Sequence, residues 1–309
     1  MADSLRRSIG ELKFVVAGSY VMDCFVRTPQ LPVWGSEYEV RSVRTSPGGK
    51  ALNQAVALAR LGAQVTAVGV VGDDGCGRDI LAVLQREGVD AGGVERRESV
   101  STAVCVCLVS DAGESAILWR IDDDVAVTPG TVRQGAAAIA QADAVLLTFE
   151  MPPESIRQAI MTASDQRTSV IVQPAPVLCD RATGRAMPWD RVDLLVPNEA
   201  EARALLDGRD SEIPADRLAG ALARQLSVPK IAVTLGASGC VFHAEGRDHA
   251  YPAPEIVAVD TTGAGDAFVA TFAAHLTSGA TDEDAVNAAQ SAAARAVQRS
   301  GGHESMPSY

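Results

Sequence analysis

The chain has 309 residues, 47% hydrophobic and 21% charged, enough to bury one large core or two small ones and too apolar for a disordered chain. Its 27 Lys and Arg stand against 39 Asp and Glu, a formal charge of −12, the wrong sign for holding a phosphate backbone. Nucleic acid is therefore not an expected partner.

Short β-rich runs alternate with longer helical ones along the chain. Residues 13–17 predict a strand, 51–61 a helix, 64–70 a strand and 78–87 a helix. The rhythm resumes with strand 144–148, helix 153–163 behind its Pro-Pro opening, strands 169–173 and 193–196, helix 199–206 and strand 230–235. Helices follow at 267–276 and, rich in alanine, at 285–297. Such alternation is the signature of βαβ units, an α/β fold whose mostly parallel sheet is covered by helices on both faces.

Two stretches break the rhythm. Residues 25–45 contain Pro29, Pro32 and Gly35, then alternate in period two over 37–43; residues 102–120 read as two strands around the turn Asp111-Ala112-Gly113-Glu114. Without crossover helices, these segments predict a small second sheet or, alternatively, antiparallel edge strands on the main one.

No apolar run approaches the ~18 residues that cross a bilayer, and Arg6 and Arg7 have no apolar stretch behind them. A cytoplasmic protein with no membrane partner is expected. The cysteines, Cys24, Cys76, Cys105, Cys107, Cys179 and Cys240, form no CxxC pair, which fits a reducing compartment. Cys105 and Cys107 would share one strand face, as buried thiols in preference to a metal pair. The histidines at 243, 249, 275 and 303 lack ligand spacing, and no zinc site is expected.

Three motifs could carry chemistry. In Asp260-Thr261-Thr262-Gly263-Ala264-Gly265-Asp266, the glycines let a ligand approach the backbone where a helix opens with free N–H groups, an anion hole with a carboxylate at its rim. The same residues also read as a capped helix after a turn. Ser46-Pro47-Gly48-Gly49-Lys50-Ala51-Leu52-Asn53 opens another helix, with Lys50 and Asn53 three apart on one side, or merely a loop with a solvated lysine. Asn198 and Glu201 have capping-box spacing, the first reading of the pair, and could also hold water around Mg²⁺. Asp23 and Glu150 follow strands, where a parallel sheet places its ligand crevice. No GxxxxGK[ST] loop, HRD or DFG set, or GxGxxG after the first strand is present.

In this order, residues 18–23, Gly48-Gly49-Lys50 to Asn53, Glu150, Asn198 to Glu201, Thr234-Leu235-Gly236 with Gly239, and Asp260 to Asp266 resemble the ribokinase-like (phosphofructokinase-B) carbohydrate kinases, over about residues 13–307. The resemblance implies a single three-layer α/β/α kinase domain over 1–309, with a β-sheet lid from about 25–45 and 102–120 that clasps a homodimer. It implies ATP-dependent phosphorylation of a primary hydroxyl of a small sugar. Asp266 would be the base, and Gly263, Ala264 and Gly265 the anion hole. Asp23, Gly49, Lys50, Asn53, Glu150 and Asp266 would hold the sugar. Asn198 and Glu201 would organise Mg²⁺ and phosphates, with Thr234, Leu235, Gly236, Gly239, Gly265 and Gln290 beside the nucleotide. Asp260, Thr262, Ala296, Gly301 and Ser305 would hold K⁺.

Departures from ribose-specific relatives are Val21 in place of asparagine, Ala51 in place of glycine, and Asp122-Asp123-Asp124 in place of Gly-Ala-Asn. D-ribose is the first acceptor to expect, with a nucleoside, another sugar or a sugar acid as alternatives. A catalytically silent binding protein on the same scaffold is disfavoured by the presence of Asp266, its glycines and the Asn198/Glu201 pair.

Overall fold

The structure, a computed structural model, describes residues 6–112, 115–176, 184, 186–206 and 212–309. Cys179 and the Gly113-Glu114 half of the expected turn lie outside the described residues. Thirteen strands are described: β1 (Lys13–Ala17), β2 (Val21–Thr28), β3 (Ser42–Gly48), β4 (Gln64–Gly72), β5 (Asp90–Arg97), β6 (Val104–Ser110), β7 (Ser115–Arg120), β8 (Ala144–Thr148), β9 (Ser169–Gln173), β10 (Leu194–Leu195), β11 (Lys230–Thr234), β12 (Cys240–Ala244) and β13 (Arg247–Tyr251). The helices are α1 (Lys50–Arg60), α2 (Gly75–Arg86), α3 (Pro129–Gln134), α4 (Ala136–Gln141), α5 (Pro153–Asp165), α6 (Glu199–Leu205), α7 (Leu218–Leu226), α8 (Ala264–Thr277) and α9 (Asp282–Ala296).

Nine strands make one sheet in the order β13-β12-β11-β10-β9-β8-β1-β4-β5, parallel from β11 through β5, with β12 and β13 antiparallel at one edge. Its central strands are apolar on both faces, as strands covered from both sides must be. In β1, Phe14 and Val16 join a core packed under α1, α2, α8 and α9, while Val15 and Ala17 join the opposite core under α3 to α7. Period-two alternation thus feeds two cores, and the three-layer α/β/α fold follows.

The second sheet is separate, in the order β3-β2-β6-β7, with β2 and β6 parallel and the outer pairs antiparallel. Its boundaries correct two expectations. The period-two run at 37–43 is not a strand until Ser42, and β2 begins at Val21, so Asp23, expected just after the first strand, sits within a strand of this second sheet. The main sheet is extended by β5, β12 and β13, none of which the strand pattern announced.

Helix α1 delivers Lys50 and Asn53, and its entry is tightly set. Gly49 caps it at φ 92° and ψ 150°, backbone open essentially to glycine alone, and an added Cβ would lie 2.6 Å from the Ser19 carbonyl oxygen. Gly62, beyond the helix at φ 91°, has open space around it. Gly62→Ala should therefore cost only backbone strain of about 1–3 kcal/mol. Gly49→Ala adds a steric clash and should lower the urea midpoint clearly further; equal losses in the two variants would contradict this account.

Candidate active site

Helix α8 begins at Ala264 behind Gly263, which takes the left-handed conformation at φ 77°. Among the described residues no side chain caps this end, and the Ala264 N–H makes only a 3.3 Å turn bond to the Thr261 carbonyl. The first turn's remaining N–H groups have no intrahelical acceptors, which leaves a concentration of positive potential. Asp266 stands there at only 4% exposure. Its Oδ2 accepts a 2.8 Å bond from Asn53 Nδ2, while its Oδ1 is buried without a partner among the described residues. Asn53 Oδ1 and Gln54 Oε1 are likewise buried and unpartnered. Buried polar atoms are seldom left unsatisfied, so this group is where water, an ion or a ligand can complete the bonding.

Lys50 ties this turn to the rest of the site. Its backbone N–H donates to Glu150 Oε2 at 3.2 Å, and Ser19 Oγ steadies the Glu150 carbonyl at 2.6 Å. Burial pulls the Lys50 ammonium down, but the fields of Asp266, Glu150, Glu201 and Asp23 outweigh it and raise its pKa. The acids feel the converse. Burial pushes Asp23 and Glu150 each up to about 7, with Lys50 as the chief opposing influence. Burial also raises Asp266, restrained first by Lys50 and then by the Asn53 bond. One cation from α1 thus faces carboxylates carried by the second sheet, the end of β8, α6 and α8.

A second group assembles at the ends of β10 and β11. Asn198 bridges to Thr234, and the capping box forms in full. Asn198 N–H and Nδ2 donate to Glu201 at 2.9 and 2.8 Å, and Glu201 N–H returns a 2.8 Å bond to Asn198 Oδ1. Leu235 N–H closes the next loop onto the Gly239 carbonyl at 2.8 Å, with Gly236 and Gly239 both at positive φ. Gln290 is buried on α9, which packs on α8, and its Oε1 has no partner among the described residues. At the tail, Asp260 Oδ1 accepts from Thr262 N–H at 2.9 Å and Oδ2 from Gly301 N–H at 3.0 Å. The Ala296 carbonyl accepts from Arg299 N–H at 3.1 Å, and Ser305 Oγ donates to the Gly302 carbonyl at 2.8 Å.

Residues 11–308 match the pfkB family of carbohydrate kinases. The chain belongs to this family. Among relatives of this pfkB-family kinase, a ribokinase from Schizosaccharomyces pombe is 31% identical, the alignment covering 96% of this chain and 95% of the relative. An ATP-dependent ribose-1-phosphate kinase from Halopiger xanaduensis is 34% identical, covering 85% and 84%. A solved structure of Arabidopsis thaliana ribokinase, complexed with ribose and ATP, superposes with a TM-score of 0.81 at 27% identity over 96% of both chains.

Two glutamines that the motifs contain, but to which the sequence assigned no role, also face the first turn of α8. Gln54, fully buried, donates to Gln173 Oε1 at 2.6 Å, and Gln173 Nε2 lies 3.3 Å from where a Cβ on Gly265 would stand. The signal was available: a glutamine inside an apolar helix face and another at the end of an apolar strand. Cys105 and Cys107 share a face of β6 as expected, but they are half-buried instead of buried, and they lie beside Asp23.

The raised acids predict a pH dependence. Between its ordinary value near 4.5 and about 7, Glu150 is protonated in the folded state and ionised in the unfolded one, so folding stability falls as pH rises through that window. Asp23 acts in the same direction. A shift of this size corresponds to about 3 kcal/mol for Glu150. Thermal unfolding of the ligand-free kinase should show Tm decreasing from pH 5 to pH 8, with Glu150→Gln flattening the slope; a Tm that rises over that range would contradict the assignment.

Proposed function

We propose that this kinase transfers the γ-phosphoryl group of ATP to the primary hydroxyl of a small sugar, D-ribose first, giving ribose 5-phosphate. The observation that carries the reading is Asp266 Oδ1, a buried carboxylate oxygen without a partner beside an uncapped helix start, its other oxygen held by Asn53. Relatives that act on ribose or its phosphate support the substrate class.

Asp266 takes the proton from the sugar hydroxyl, and burial, by raising its proton affinity, makes it the stronger base. Lys50 opposes that rise and so favours the ionised form. The hydroxyl oxygen bonds to the γ-phosphorus as the bond to the β-phosphate oxygen breaks, and the N–H groups of Gly263, Ala264 and Gly265 face the charge that develops. Asp23, Gly49, Lys50, Asn53 and Glu150 orient the sugar. The nucleotide lies along Thr234, Leu235, Gly236, Gly239, Gly265 and Gln290.

Asn198 and Glu201 fit a hydrated Mg²⁺, since Glu201 is a buried hard-oxygen donor with lone pairs beyond those its cap uses; the ion supplies charge neutralisation on the phosphates. For K⁺, Asp260, Thr262, Ala296, Gly301 and Ser305 offer carboxylate, carbonyl and hydroxyl oxygens beside the phosphate turn. Val21 is buried and apolar, so the sugar hydroxyl nearest it gains no partner there, whereas Asp122, Asp123 and Asp124 are exposed.

The second sheet serves as a lid and as the contact for a second copy. Register puts Val26, Val43, Val104, Val106, Leu108 and Leu118 on its face away from Asp23, and Val43 and Leu118 are 61% and 60% exposed. An apolar strip of this kind is what a partner covers.

Asp266→Asn should reduce ribose-dependent ATP consumption by about 100-fold or more while nucleotide binding, followed by calorimetry, persists. Undiminished turnover would remove Asp266 from the base role. A screen of ribose, 2-deoxyribose, fructose and adenosine should show ribose with the largest kcat/KM, and activity confined to adenosine would favour the nucleoside alternative. Leu118→Glu should convert a dimer to a monomer in sedimentation velocity; an unchanged mass would argue against the lid contact.

A further inference from the structure

Cys105 and Cys107 are two apart on β6, so both side chains leave the same face, and the parallel register of Asp23 with Cys105 sets a carboxylate beside them. The two sulfurs are 3.9 Å apart, and these with an Asp23 oxygen all lie within 4.8 Å of one another. Four-coordinate tetrahedral zinc with Zn–S bonds of about 2.3 Å places its sulfurs about 3.8 Å apart, nearly the spacing found. A disulfide asks more of the strand. It needs sulfurs about 2 Å apart, while residues i and i+2 of an extended strand hold their Cα atoms about 6.7 Å apart, at the upper end of the disulfide range. The pair is placed to share a cation more readily than to bond to itself.

We propose that Cys105, Cys107 and Asp23 form a binding site for a thiophilic divalent cation of the zinc class, and that the cation and the sugar exclude each other because both use Asp23. The exclusion rests on the sugar role of Asp23 given above; the metal site itself does not. On binding, each thiol releases its proton to solvent as a sulfur–metal bond forms, Asp23 enters as the carboxylate, and no electrons are transferred. Three anionic ligands around a divalent ion leave a net single negative charge, and Lys50, whose field reaches both Asp23 and Cys107, offsets it. The fourth position faces the sugar cleft and takes water, the open arrangement of a reversible site.

Cobalt(II) titration of the reduced, full-length protein, without sugar or nucleotide, reads the site directly. One equivalent should produce sulfur-to-cobalt charge-transfer absorption and tetrahedral d–d bands, and added zinc should abolish both. C105S/C107S should weaken cobalt binding at least about 100-fold, since loss of even an outer partner of a metal ligand costs 10–100-fold. C105V/C107V, which keeps the strand apolar, should do the same, and C24S, altered on the opposite face of β2, should bind as the parent does. D23N should weaken cobalt binding without removing the charge-transfer bands. In kinase assays zinc should raise the KM for ribose with kcat unchanged, and both double cysteine variants should lose that response while keeping zinc-free activity.

A parent protein with no charge-transfer band, or a band that survives in both double variants, would overturn the metal site and leave the kinase reading intact. Cobalt bound through the thiols with no rise in the ribose KM would overturn the exclusion and, with it, the part assigned to Asp23.

Discussion

Everything in the pocket depends on one charge, the ammonium of Lys50, held among Asp23, Glu150, Glu201 and Asp266. Carboxylates brought this close and this deep repel one another and lose solvation, so without a shared cation they would take up protons or move apart. Burial raises the proton affinity of Asp266, and the field of Lys50 is the chief influence against that rise. The arrangement is unbalanced: four acids against one ammonium. That imbalance is consistent with a pocket built to admit further cationic or hydrogen-donating groups.

The fold serves this constraint by bringing distant parts of the chain to one end of the main sheet. The α1 entry at Gly49 and the α8 entry at Gly263 both run at positive φ, and each aims its first helical turn into the site. The Asn53–Asp266 bond spans 213 residues and joins the two helix starts directly. Asp23 comes from neither helix but from the second sheet, so the pocket is complete only with that sheet in place.

Much of this was legible because the local chemistry is specific. Glycine before a helix start exposed Lys50, Asn53 and Asp266, and the spacing of Asn198 and Glu201 announced a cap that forms in full. Legibility failed where period or composition misled. Asp23 was read only as following the first strand, because the chain turns almost at once from β1 into β2, and residues 37–43 alternate although the strand begins only at Ser42. The edge strands β5 and β13 escaped notice for a physical reason: edges are kept polar to prevent unwanted pairing, so Gly92-Gly93 with Glu95, Arg96 and Arg97, and Arg247-Asp248-His249, do not look like strands. The closeness of Cys105 and Cys107 to Asp23 depends on pairing between β2 and β6, which no local pattern encodes.

The last turn of the chain has a reach beyond its length. Glu304 accepts from Arg44 Nη1 at 2.8 Å and from Ser46 Oγ at 2.6 Å, His303 Nδ1 lies 2.8 Å from the Pro47 carbonyl, and Arg60 is bonded to the Met306 carbonyl. The same segment supplies the Gly301 N–H to Asp260 and packs Met306 under Gly263. Removing these last residues would therefore loosen β3 of the second sheet and the entry to α8 together.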